Sequence, residues 1–127
     1  MTLFAALSLL ALSSALAQET VPAPAPTNDV VGGWSVDLRV SAADPAYSQP
    51  MHLNVDADGK VTGDFYNSVI SSGRYGRNMG RSCVAFVTSD GVGDYQHSAC
   101  LVDGRMVGQS WAEHRGFVLP WTAVRGE

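Results

Sequence analysis

The sequence predicts an all-β protein, an eight-stranded antiparallel up-and-down β-barrel stapled by one disulfide. Three observations carry that prediction. Short β-rich runs recur along the chain, separated by tight turn sequences such as Asp103-Gly104. Most of these runs alternate apolar and polar residues, so each offers one stripe to a common core. A turn assigned independently of the cysteines, the loop at 90–93, also brings the only pair, Cys83 and Cys100, directly opposite each other.

The chain opens with an apolar run, LFAALSLLAL at residues 3–12, followed by Ala15-Leu16-Ala17. A run this short with an A-x-A-like site reads as a secretory signal peptide over residues 1–17, not as a membrane span of about 20 residues. Gln18 rather than Cys would follow the cut, which argues against a lipid anchor. Residues 18–29 alternate Pro and Ala and read as an extended spacer. Residues 30–127 then form one domain, expected to be secreted or periplasmic.

The first strand, WSVDLRVS at 34–41, sets Trp34, Val36, Leu38 and Val40 on one face. Residues 42–50 read as a loop with two prolines. In MHLNVDADGKVTGDFYN, a three-residue Ala57-Asp58-Gly59 loop pairs Asp56 with Lys60. Val55 then faces Val61, Leu53 faces Gly63 and Met51 faces Phe65, with His52 and Asp64 together on the solvent side. A slip of one residue would scatter that sorting. Asn54, Asp56, Asp58 and Gly59 resemble the start of a calcium loop, but position twelve is Phe65 instead of a bidentate Glu, so the turn is the better account. A fourth strand is expected within 69–76, with Arg74, Arg77 and Arg81 on a solvated rim.

The stretch from Arg81 to Val124 holds the last four strands. Asp103-Gly104 favours a type I′ turn that pairs Val102 with Arg105, Leu101 with Met106 and Ala99 with Gly108. A four-residue loop at 90–93 sets Ser89 against Asp94. The same register places Cys83 opposite Cys100, within the Cα range of about 4.4–6.8 Å that a disulfide tolerates. Val84, Phe86, Ala99, Leu101, Met106 and Gly108 share the inner face, joined by Phe117, Leu119, Trp121 and Ala123 if residues 113–116 close the final hairpin. Trp34, Phe86, Phe117 and Trp121 are read as core filling. At the seam between last and first strands, Arg125 falls beside Trp34, where a guanidinium can cover the indole.

The Gly-x-Trp opening with a matching late Arg resembles the calycin superfamily, and within it the avidin–streptavidin family. GGWSVDL is similar to that family's first strand, DADGKVTGDFYNS to its second hairpin, and ACLVDGRMVGQSW to its penultimate hairpin with a late tryptophan, here Trp111. The resemblance implies the barrel fold over most of residues 32–125, and a late tryptophan that reaches a neighbouring subunit. It does not extend to biotin. Hydrogen-bonding positions of the family are occupied by Val36, Val40 and Phe65, and Asn67 stands where Ser or Thr is expected. A buried ureido group left without partners costs several kcal/mol, on the order of 2–7.

With Trp34 at the closed end, the open mouth is expected at the 41–50, 67–69, 90–93 and 113–116 loops. Inward parity then carries Thr88, Tyr95, His97 and Ser110 toward the mouth, with Asn67 nearby. Polar groups converging above an apolar floor are the usual makeup of a small-ligand pocket. The leading expectation is a non-catalytic binding protein for a small apolar or amphipathic molecule. The alternative is a protein-binding module such as a protease inhibitor, using an outer patch of Trp111, Val87 and Val118. Self-association through Trp111 fits either case.

The rest is exclusion. One Lys, seven Arg, a net charge of −4 and no basic run disfavour a nucleic-acid or anionic-membrane partner. His52, His97 and His114 lack metal-ligand spacing, and no Ser or Cys nucleophile has an identifiable base in the sequence. No metal, cofactor or catalytic residue is expected. Two cysteines in a signal-bearing chain fit an oxidising compartment.

Overall fold

A computed structural model describes Ala15 and residues 29–126. The expected signal segment and the spacer up to Asn28 otherwise lie outside the described residues. The strands are β1 (Gly32–Asp37), β2 (Ser48–Val55), β3 (Lys60–Phe65), β4 (Ser68–Val69), β5 (Ser71–Asn78), β6 (Arg81–Ser89), β7 (Asp94–Val102), β8 (Arg105–Ala112) and β9 (Phe117–Arg125), with a single 3₁₀ turn at Glu113–Arg115. Each of the longer strands pairs antiparallel with its chain neighbours, and β9 returns to β1, so the sheet closes into an eight-staved barrel. The short β4 and the longer β5 together make the fourth stave.

Local chemistry explains the registers. Asp103 and Gly104 both adopt positive φ, 51° and 77°, as a type I′ turn requires, and Val102 pairs with Arg105. Gly59 takes φ 83° at the end of its three-residue loop, where the Asp56 carboxylate accepts from the Asp58 and Lys60 amides. Val55↔Val61, Leu53↔Gly63 and Met51↔Phe65 follow. Cys83 pairs with Cys100 and the two form a disulfide, with Cα atoms 4.0 Å apart, slightly inside the expected spacing.

The inward stripes converge on one core that includes Trp34, Val36, Met51, Leu53, Phe65, Phe86, Met106 and Trp121. Val30 seals the closed end and is fully buried. The Trp34 indole donates to the Val30 carbonyl at 2.9 Å, and Arg125 lies over the same indole at 4.1 Å while donating to the carbonyls of Val31 and Asp29. One residue thus caps the ring, joins β9 to β1 and fastens the incoming chain.

Four expectations need correction. The first strand ends at Asp37, not near Ser41, because the Asp37 carboxylate accepts from both the amide and the guanidinium of Arg39 and turns the chain out. Val40 is consequently 86 % exposed rather than inward, and Leu38 only half-buried. The loop falls earlier than 42–50, at 38–47, since β1 ends at Asp37 and β2 begins opposite it at Ser48. The fourth strand is interrupted: Tyr66 and Asn67, at φ 52° and 62°, make a tight turn into β4, and the register shifts between Ser71 and Arg74. Phe117 is more than a third exposed, at the rim instead of in the filling, because it is the first residue of β9 and lies at the open end.

Candidate ligand-binding cavity

The open end leads into a cavity of about 400 Å³. Its apolar walls come from Leu38, Phe65, Phe117 and Leu119, and its polar groups from Thr88, Tyr95, His97 and Ser110. The four residues expected from strand parity therefore line it, out of five expected at the mouth. The fifth, Asn67, does not: its left-handed backbone sits at the tip of the turn, where the side chain is exposed, and its neighbours Tyr66 and Ser68 line the cavity in its place.

The floor is built around His97. Position 97 on β7 lies opposite Phe86 on β6 and Ser110 on β8, all on inward parity. Phe65 and Phe86 flank the imidazole, each with its ring centre 4.9 Å away. Thr88 Oγ1 is 2.8 Å from His97 Nε2, and Ser110 Oγ is 2.7 Å from His97 Nδ1. The Trp121 indole donates to Ser110 Oγ at 2.9 Å. Thr88, His97 and Ser110 are each only 5 % exposed, so this is a buried, continuous polar chain in an aromatic setting. Burial pushes the His97 pKa down to about 4, which leaves the ring neutral around pH 7.

The rim is a separate network. The Asp90 carboxylate accepts from the Val92 and Gly93 amides in its own loop. It also accepts from His114 Nε2, the Tyr95 hydroxyl and both Nε and Nη2 of Arg115. The hydrogen bonds from His114, Gly93 and Arg115 hold its pKa well below the ordinary carboxylate range and tie two mouth loops together. Burial and the hydrogen bond to Asp90 raise the Tyr95 phenol. Across the mouth, Tyr47 and Tyr66 join hydroxyls, linking the loop before β2 to the β3–β4 turn. Sequence reasoning missed Asp90, Arg115, Tyr47 and Tyr66. Only Asp90 carried a local signal, as an Asp whose carboxylate can cap the Gly-rich turn that follows it.

On the outer wall Trp111 is 40 % exposed and pairs directly with Val118, itself more than half exposed, while Gln96 separates Trp111 from Val87 in one row across β6 to β9. All three face outward, away from the cavity, but Gln96 interrupts the row and Val87 is half-buried, so only Trp111 and Val118 are adjacent. Among the described residues no group of three or more His, Cys, Asp or Glu is placed to hold a metal. No helix among them is long and apolar enough to cross a membrane. No family model, no curated protein and no solved structure matches this chain.

Proposed function

We propose that this chain is a secreted or periplasmic, non-catalytic binding protein for a small, largely apolar molecule held at the mouth of the barrel. The observation that carries this reading is the cavity of about 400 Å³ with aromatic walls and an inward polar chain at its floor. Its size falls within the range of about 300–1,000 Å³ usual for ligand pockets. Export is supported by the apolar leader with its A-x-A-like site and by the disulfide. A Thr hydroxyl beside an imidazole is also the geometry of a nucleophile and its base. A ring whose pKa is about 4 is, however, a weak base at neutral pH, which favours binding over acyl transfer. The departures at Val36 and Phe65 from the family it resembles weigh against biotin.

Native mass spectrometry of the protein purified from its own host without denaturation tests the reading. An added mass that leaves on unfolding is expected. A bare chain would sink it and turn attention to a protein partner, such as a protease, at the outer wall.

The exposed Trp111–Val118 pair favours a second reading, self-association of the barrel through its outer wall. Trp111→Glu should lower the mass measured by light scattering, and an unchanged mass would remove that reading.

A further inference from the structure

The polar chain at the cavity floor can be counted proton by proton. It holds four donor protons: Trp121 Nε1–H, the Ser110 hydroxyl, one ring N–H of neutral His97 and the Thr88 hydroxyl. It contains three contacts, Trp121–Ser110, Ser110–His97 and His97–Thr88. Each contact consumes one proton, so four minus three leaves one unspent. Ser110 Oγ and Thr88 Oγ1 make no other hydrogen bond among the described residues. A protonated ring would only enlarge the excess.

The position of the excess proton follows the tautomer. With the ring proton on Nε2, His97 donates to Thr88, Ser110 donates to Nδ1, and the Thr88 hydroxyl proton is spare. With it on Nδ1, Thr88 donates to Nε2 and the spare proton is on Ser110. Both hydroxyls line the cavity. Phe65 and Phe86, packed on the ring, offer no strong acceptor, and the Tyr95 hydroxyl, directed to Asp90 at the rim, makes no hydrogen bond with Thr88 or Ser110. A donor left unmet in such surroundings is costly, so whatever fills the cavity must accept from it.

We infer that the cavity selects small apolar molecules that carry one hydrogen-bond acceptor, such as a carbonyl or ether oxygen, and binds them acceptor-first against the Thr88–Ser110 hydroxyl pair. This rests on the ligand-binding reading above and specifies its ligand class.

Cyclohexanone and methylenecyclohexane are matched probes, nearly equal in shape and differing in the acceptor. Their affinities for the full secreted chain are measured by NMR titration in wild type, Thr88→Ser and the double variant Thr88→Val/Ser110→Ala, so that the unequal cost of leaving water cancels in the ketone-to-alkene ratio. Either substitution alone still leaves a proton over, since the ring can change tautomer and pass it to the other hydroxyl. The ratio should therefore fall roughly three- to tenfold, the worth of one neutral hydrogen bond, in the double variant that removes both hydroxyls. It should hold in the conservative Thr88→Ser. Imidazole ¹⁵N shifts identify the tautomer and thus which hydroxyl carries the spare proton in wild type. The carbonyl stretch of cyclohexanone bound to wild type needs no variant, and it should lie below its frequency in alkane. An unshifted stretch, or a ratio unchanged in the double variant while the alkene binds, overturns the inference and leaves ligand binding standing. Failure of both probes to bind wild type overturns both readings.

Discussion

His97 Nδ1 lies 2.7 Å from the hydroxyl oxygen of Ser110, inside a barrel whose aromatic filling leaves the residue only 5 % exposed. The imidazole is satisfied as a neutral group, and burial lowers its pKa from 6.5 to about 4. Between those values the unfolded chain takes up a proton that the folded chain refuses. Stability should therefore fall as pH drops from about 6.5 to about 4, by up to roughly 3 kcal/mol. Urea unfolding across that range should show the slope in wild type, and His97→Gln should flatten it. A His97 resonance titrating near 6.5 would contradict the assignment.

The Cys83–Cys100 bridge closes a loop with a sequence separation of 17 on a small single-cored domain. Replacing both cysteines with Ala should cost about 3 kcal/mol, chiefly by freeing the unfolded chain. Denaturant midpoints with and without dithiothreitol measure the same quantity. Reduction that leaves the midpoint unmoved would show that the barrel does not depend on its staple.

Gly63 is where β3 comes closest to β2. At φ 131°, a Cβ built on it would lie 1.9 Å from the His52 carbonyl oxygen. Gly63→Ala should destabilise the protein by about 3 kcal/mol or more, combining steric overlap with backbone strain. Gly104→Ala, also at positive φ but in open space, should lose only about 1–2 kcal/mol. Thermal unfolding of the pair separates the two effects, and equal losses would show that the close approach matters little.

Asp90 gathers donors from both sides of the mouth. Its lowered pKa means that the clamp is fully formed above the ordinary carboxylate range and weakens as pH falls through and below it. Asp90→Asn should speed amide exchange in residues 90–93 and 113–116 at neutral pH, while the barrel strands keep their protection. Direct ¹³C titration should place the Asp90 midpoint below its ordinary value of 3.8. A midpoint at or above that value would mean that the clamp does not form in solution.

The registers of this barrel were legible in the sequence because turns and pleats act locally. Asp103-Gly104 and Gly59 demand particular backbone angles, and alternation does the rest, carrying Cys83 to Cys100 and Thr88, Tyr95, His97 and Ser110 inward without any tertiary information. The same parity placed Arg125 beside Trp34. Local rules failed where side chains overruled them. Asp37 captured Arg39 and ended β1 early, sending Val40 into solvent, and two non-glycine residues, Tyr66 and Asn67, took the left-handed turn that removed Asn67 from the cavity. What alternation cannot supply is which loops meet around a closed ring. Asp90 finds Arg115 between the loops that follow β6 and β8, and Tyr47 finds Tyr66 where the paired β2 begins and β3 ends, contacts set by how each loop leaves its strand. The hydrogen-bond chain from Trp121 through Ser110 and His97 to Thr88 likewise depends on distances of a few ångströms between four strands, and those are set by barrel closure and packing.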